Sequence, residues 1–209
     1  MQPVPIVYGM TIGEYAKMLV GEQWFRGAKD LDLTVIPCRH YTHRSHYEPP
    51  IKPSPNLPDI QSIYWYPTIG LLEGTVMSVG RGTAKPFRIF GHPRLPNAFT
   101  FIPQATAWDA NPRYKNKICH GWNITGDKQH TLQQIADRIQ LAYILKAYQL
   151  YPNKKHFFAG FNASAGNAIL ARQITSGTQE AEIRASWQPK LIAFKEIRKK
   201  YLLYEDFVE

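Results

Sequence analysis

The sequence is short of cysteine, of acidic residues and of long apolar runs, and each shortage narrows what the chain does. Two cysteines, Cys38 and Cys119, lie far apart among 209 residues, which excludes a disulfide-dense scaffold. They leave open one bridge, two buried thiols or neither. No stretch approaches the ~20 apolar residues that a membrane helix requires. The start, Met1-Gln2-Pro3-Val4-Pro5, has neither the charged region nor the apolar run of a signal peptide. A soluble chain with no membrane span is expected. Carboxylates number 16 against 25 Lys and Arg, for a formal charge of +9. That balance suits nucleic acid, an anionic polymer or a small anionic substrate. The basic residues gather only at Arg113, Lys115 and Lys117 and at Arg198, Lys199 and Lys200, and neither group sits in a recognisable nucleic-acid module. A solvated basic surface and no nucleic-acid partner are expected.

What is present is enough apolar material for a core: 44% hydrophobic and 13% aromatic residues exclude intrinsic disorder. Thr11 with Glu14 three residues later forms a capping-box pattern. Ile12, Tyr15, Ala16, Leu19 and Val20 then predict a helix to about Gly21. Leu31 to Pro37 alternates and is β-branched, which predicts a strand. Residues 38–58 read as a long irregular loop, a first place to look for a site. Ile63 to Leu72 reads as strand material interrupted by Pro67, and Phe87 to Phe90, Phe99 to Ile102 and Gly121 to Ile124 as short strands. Thr131 with Gln134 predicts one helix running to Tyr151. A second spans about Asn167 to Thr175 and ends at Gly177, and Pro189 reads as the first residue of a last helix with Phe194, Ile197 and Tyr201 on its stripe. Strands come first and helices follow, which predicts an α+β fold: a small mixed sheet with helices packed on it and long loops, not a nucleotide-binding Rossmann domain. Residues 1–209 read as a single domain.

Two clusters invite chemistry. His40, His43 and His46 lie near Cys38, and imidazole and thiolate are ordinary zinc ligands. The flanking residues argue against a helix there, and in an extended chain residues three apart point to opposite faces. No metal is expected, and the histidines read as polar loop residues. Gly80-Arg81-Gly82 begins like a dinucleotide loop, but Lys85 stands where the third glycine belongs, so no nucleotide cofactor is expected. The glycines do predict a tight turn that presents Arg81. Two readings stay open for it: an Arg that receives a carboxylate through its planar fork, or one that salt-bridges Glu73 or Asp59 and organises the loop.

PIVYGMTIGEYA (Pro5 to Ala16), PSPNLP (Pro53 to Pro58), Tyr66-Pro67, EGTVMSVGRGTAKPF (Glu73 to Phe87), GHP (Gly91 to Pro93) and YLLY (Tyr201 to Tyr204) occur in this order. Together they resemble the bacterial exo-β-N-acetylmuramidase family, formerly a domain of unknown function. The resemblance implies that the chain is equivalent to the C-terminal, auxiliary domain of a two-domain enzyme. It implies that an N-terminal Rossmann-like domain, which carries the principal catalytic carboxylate, lies outside this chain and would be its partner. It implies release of terminal β-linked N-acetylmuramic acid from peptidoglycan, one wall of a cleft supplied by this chain, and a periplasmic or secreted location. By motif it implies substrate contacts from Asn56, Glu73, Thr75, Ser78, Arg81 and Thr83, and from Arg44, which falls where many members have an Arg after a strand. Val79 departs from the family, where many relatives have Glu, and Glu73 is the one candidate for a catalytic group in this run. A stand-alone, non-catalytic module for cell-wall glycan is the alternative.

Overall fold

The computed structural model describes residues 2–207. They divide into two compact units, residues 1–47 with 184–209 and residues 48–183.

In the first unit, α1 (Ile12–Gly21) starts where the sequence predicts it. Thr11 caps it, and both halves of the capping box with Glu14 are formed. Glu14 is fully buried and its two oxygens are saturated. One takes the Thr11 N–H at 2.7 Å and the Thr11 hydroxyl at 3.0 Å. The other takes the Leu203 N–H at 2.7 Å and faces His43 Nε2 at 3.0 Å. A second latch is Arg198, also buried, whose fork meets both oxygens of Asp206 at 2.7 Å while Nε donates to Gly9 O at 2.8 Å. Residues 31–37, where the sequence predicts a strand, join no ladder among the described residues. The strand predicted there is therefore not formed among the described residues.

The second unit holds a three-stranded sheet in the order β1-β3-β2, with β1 Ile89–His92, β2 Phe99–Phe101 and β3 Cys119–Asn123, antiparallel throughout. Helices accompany it, so the α+β expectation holds. Gly91 faces Gly121 across the ladder, where a Cβ would meet the opposing backbone. Phe90 stacks on Trp122 beside them at 4.9 Å.

The helices depart from expectation in three places. Residues predicted as a strand form α2 (Ile60–Ile69), with Pro67 inside it and a 3-10 turn at Gly70–Gly74 after it. Asp59 caps α2 by accepting from Ser62 N at 3.0 Å, and full burial of Trp65 and Ile69 outweighs the β-propensity of the aromatic and branched residues. The single helix predicted up to Tyr151 is two, α3 (Lys128–Ile135) and α4 (Leu141–Leu150), capped by Asp127 rather than Thr131 and parted where Ala136 and Asp137 turn left-handed. After α5 (Phe161–Ser164) and α6 (Ile169–Thr175), Pro189 lies within α7 (Glu180–Lys199) instead of starting it. The chain passes from the second unit back to the first within α7. Both cysteines are free thiols, Cys38 exposed and Cys119 buried, where burial pushes the Cys119 thiol up to about 12.

Candidate substrate-binding turn

The turn that carries Arg81 is built from backbone outward. Gly74 ends the 3-10 turn so close to Phe161 that a Cβ would lie 2.6 Å from its Cα. Thr75 comes next, fully buried, its hydroxyl donating to Leu72 O at 2.7 Å and accepting from Met77 N at 3.1 Å. Residues 75–78 then pass between two neighbours, with isolated bridges from Thr75 to Phe158 and from Ser78 to Gly91. Val76 N donates to Phe157 O at 2.9 Å, while Ser78 and Gly91 exchange bonds at 2.8 and 3.0 Å. Their carbonyls are taken by side chains: Arg113 Nη1 donates to Thr75 O and to Met77 O (3.0 Å for the latter), and Tyr114 donates to Val76 O at 2.7 Å. A buried backbone held on both edges moves little, so the residues after it are presented rigidly.

Those residues form the glycine turn. Gly80 and Gly82 both have φ of +79°, a left-handed conformation in which other residues are strained. Space closes the argument at Gly82, where a Cβ would lie 2.5 Å from Gln104 O. Thr83 locks the turn by donating to Gly80 O at 2.7 Å and accepting from Lys85 N at 3.0 Å. Gly82→Ala is expected to destabilise the second unit by at least about 1–3 kcal/mol, read as a lower urea midpoint. An unchanged midpoint would contradict this account of the turn.

Arg81 at its tip is supported from two sides. Its guanidinium lies over the Phe87 ring at 5.3 Å. Nε and Nη2 both reach Glu73 Oε1, at 2.9 and 2.8 Å. Phe87 is itself placed by α2: Tyr66 meets it edge-on at 4.9 Å, and Ser62 donates to Pro86 O at 2.9 Å. The pair is only partly covered, Arg81 being 36% and Glu73 31% exposed. Two atoms remain without a partner among the described residues, the donor Arg81 Nη1 and the acceptor Glu73 Oε2. The turn thus offers a matched donor and acceptor to solvent. Asp59, the other acid the sequence suggested for Arg81, pairs with Arg88 at 2.9 Å instead.

The remaining candidates are dispersed. Asn56 is half-buried, and its N–H rests on Ser54 Oγ at 3.3 Å. Ser78 is buried and accepts from Gly80 N at 3.3 Å. Val79 is buried. Arg44 belongs to the first unit, where it pairs with Glu205 at 2.9 Å. His43 meets Glu14, whereas His40 and His46 are exposed. No group of three or more His, Cys, Asp or Glu among the described residues is placed to hold a metal ion. The basic clusters are put to structural use: Arg113 on the carbonyls behind the turn, and Arg198 on Asp206. No helix among the described residues is long and apolar enough to cross a membrane.

Tyr114 had no distinguishing signal in the sequence, whereas Phe87 carried only its place at the end of a motif, Arg113 its place in a basic cluster and His92 its GHP motif. His92 is buried between the rings of Tyr114 (4.8 Å) and Tyr151 (4.7 Å), and its Nδ1 accepts from Arg94 N at 2.9 Å. Burial, reinforced by the charges of Arg94 and Arg113, pushes it down to about 4. A folded pKa below the unfolded value of ~6.5 means that the unfolded chain binds the proton first, so stability falls as pH drops from about 6.5 toward 4. His92→Asn, which keeps an acceptor near Nδ1, is expected to remove up to about 2 kcal/mol of that pH dependence. The check is to compare urea midpoints at pH 7 and pH 4.5. Equal pH dependence in both proteins would refute the assignment.

Comparison with known proteins places this turn in a family. Residues 64–204 match the profile described as "Exo-beta-N-acetylmuramidase NamZ, C-terminal", and residues 1–61 match its N-terminal counterpart. The chain is 31% identical over 222 aligned residues to the peptidoglycan beta-N-acetylmuramidase NamZ of Bacillus subtilis (strain 168), covering 98% of this chain and 52% of that protein. The crystal structure of a DUF1343 family protein from Bacteroides fragilis NCTC 9343 superposes with a TM-score of 0.91 at 40% identity, over 99% of this chain and 58% of that one. A second DUF1343 protein of the same organism, at 20% identity, shares the fold with a TM-score of 0.60 over 97% of this chain and 58% of that one. The chain thus spans about half the length of these relatives.

Proposed function

The chain belongs to the exo-β-N-acetylmuramidase NamZ family, and on that premise we propose that it forms one wall of the cleft of a peptidoglycan-degrading glycosidase that releases terminal β-linked N-acetylmuramic acid. The observation that carries this reading is the Arg81–Glu73 pair, presented on the glycine turn with one donor and one acceptor unengaged among the described residues. Muramic acid differs from glucosamine by its lactyl carboxylate, and Arg81 Nη1 is a charged donor for that group. Glu73 Oε2 accepts from an amide or hydroxyl of the same sugar.

Asn56 and Thr83 complete the sugar contacts. Thr75 and Ser78, whose polar groups already serve the backbone, hold the turn in shape. Arg44 holds the C-terminal tail through Glu205. Glycosidases set carboxyl groups about the scissile bond, one of them kept protonated to protonate the leaving oxygen. Glu73 is engaged by Arg81, and the principal acid comes from the N-terminal domain that relatives carry. Residues 1–61 match the N-terminal profile of the family and residues 64–204 the C-terminal one. The pairing of Glu73 also favours a second reading, a cell-wall glycan-binding module without turnover.

Calorimetric titration with N-acetylmuramic acid and with N-acetylglucosamine tests the cleft wall. Binding of the first at least tenfold tighter is expected. Equal affinities, or no binding of either sugar, would remove the basis for it.

A further inference from the structure

The loop from Gln104 to Pro112 is rooted on the turn that presents Arg81. Gln104 N donates to Gly82 O at 2.8 Å, and a Cβ on Gly82 would lie 2.5 Å from Gln104 O and 2.7 Å from Pro112 Cγ. Both ends of the loop therefore press on the residue beside Arg81. Trp108 stands midway, four residues from each root, so its Cα lies within about 14 Å of either. Between the roots the loop is closed by its own bonds. Thr106 N donates to Asp109 O at 2.9 Å, and the Thr106 hydroxyl accepts from Trp108 N at 3.3 Å and from Asp109 N at 3.0 Å. Asp109 Oδ1 accepts from Asn111 N at 3.1 Å, and Lys115 Nζ donates to Ala110 O at 2.8 Å.

This frame holds an indole in solvent. Trp108 is 76% exposed, and its side chain has no hydrogen bond or ring contact among the described residues. The other tryptophans are accounted for by packing: Trp65 meets Tyr143 edge-on, Trp122 stacks on Phe90, Trp187 takes the Arg184 guanidinium over its ring, and Trp24 is half-buried. A lone exposed apolar residue is ordinary. An indole that buries nothing, on a bonded loop rooted beside Arg81, has a ligand as its natural partner.

We propose that Trp108 is a stacking platform for the sugar that follows the one Arg81 reads. The inference rests on the reading of the Arg81–Glu73 pair and extends it from one sugar to two. Peptidoglycan alternates its two N-acetyl sugars, so a terminal muramic acid is followed by N-acetylglucosamine, which carries no charge. That ring needs no ion pair, and its apolar C–H face matches the broad, rigid face of an indole, which is ordered at low entropic cost. The indole N–H is left to donate to a sugar hydroxyl.

The test titrates this chain calorimetrically with N-acetylmuramic acid and with its β-linked disaccharide to N-acetylglucosamine. The disaccharide is expected to bind about tenfold tighter. Trp108→Ala should remove that gain and leave monosaccharide affinity and the urea midpoint unchanged, because the ring buries nothing in the free protein. Trp108→Phe, which keeps a ring, should keep part of the gain. Equal affinities of the wild type for the two ligands, or a gain that survives in Trp108→Ala, would overturn the platform. So would a Trp108-dependent gain seen with muramyl dipeptide and not with the disaccharide, which would assign the ring to the stem peptide. The two readings fail separately. Arg81→Ala should weaken both sugars and preserve their ratio. If N-acetylmuramic acid does not bind, while N,N′-diacetylchitobiose binds and loses its affinity in Trp108→Ala, the platform stands and the cleft reading falls.

Discussion

Glu14→Ala is expected to destabilise the first unit by about 3–5 kcal/mol, the cost of breaking a buried charged network from one side. The substitution leaves the Leu203 N–H, the Thr11 N–H and the His43 ring facing a cavity that water fills poorly. It also removes half of the capping box that starts α1. Burial works to raise the pKa of Glu14, but the hydrogen bonds from Leu203, Thr11 and His43 outweigh it and hold the group below the ordinary value. Asp206 is held low too, chiefly by Arg198. A carboxyl lowered by folding contributes stability that is present above its unfolded pKa and lost as pH falls through the folded one. The first unit should therefore loosen below about pH 4.5, and Glu14→Gln, which retains one acceptor, should fall between wild type and alanine. Amide exchange across α1 measures both effects on this unit alone. A loss below about 1 kcal/mol for Glu14→Ala would mean that the latch does not hold the tail.

Arg81→Ala is expected to weaken N-acetylmuramic acid binding by about 2–3 kcal/mol, roughly thirty- to 150-fold, as for the loss of a charged hydrogen bond. N-acetylglucosamine, which has no lactyl carboxylate, should change little. Stability should change by less than about 1 kcal/mol, because the pair with Glu73 is a third exposed and such pairs contribute little to folding. Arg81→Lys separates charge from geometry: a compact ammonium cannot donate from Nε and Nη2 to Glu73 while leaving Nη1 for ligand. It should bind between wild type and alanine. Wild-type affinity in Arg81→Ala would assign the Arg to loop organisation alone.

The legible parts of this chain are those where local signals suffice. Thr11 and Glu14 mark α1 because the capping box is a reciprocal bond between neighbours, and the glycine turn is visible because Gly80 and Gly82 need a conformation few residues tolerate. Where packing decides, the sequence misleads. Ile-Tyr-Trp-Tyr-Pro in α2 has strand-like residues and a helix breaker, yet burial of Trp65 and Ile69 settles the matter, with Asp59 as the overlooked cap. The break between α3 and α4 falls at Ala136 and Asp137, neither of them a glycine.

The candidate site divides in the same way. Arg81 and Glu73 are only eight residues apart, so their pairing was among the readings open from sequence. The supports come from farther along the chain: Arg113 and Tyr114 hold the carbonyls of residues 75–77, and no periodicity links residues so distant. Arg113 in particular reads as one more surface cation until its carbonyl partners are seen.

Incubation of this chain by itself with a chromogenic N-acetylmuramic acid glycoside, with binding followed in parallel by calorimetry, tests the central claim most directly. A substrate-reading wall without the principal acid predicts saturable binding, weakened by about 2–3 kcal/mol in Arg81→Ala, and no release of the chromophore. Sustained release by the chain alone would contradict it.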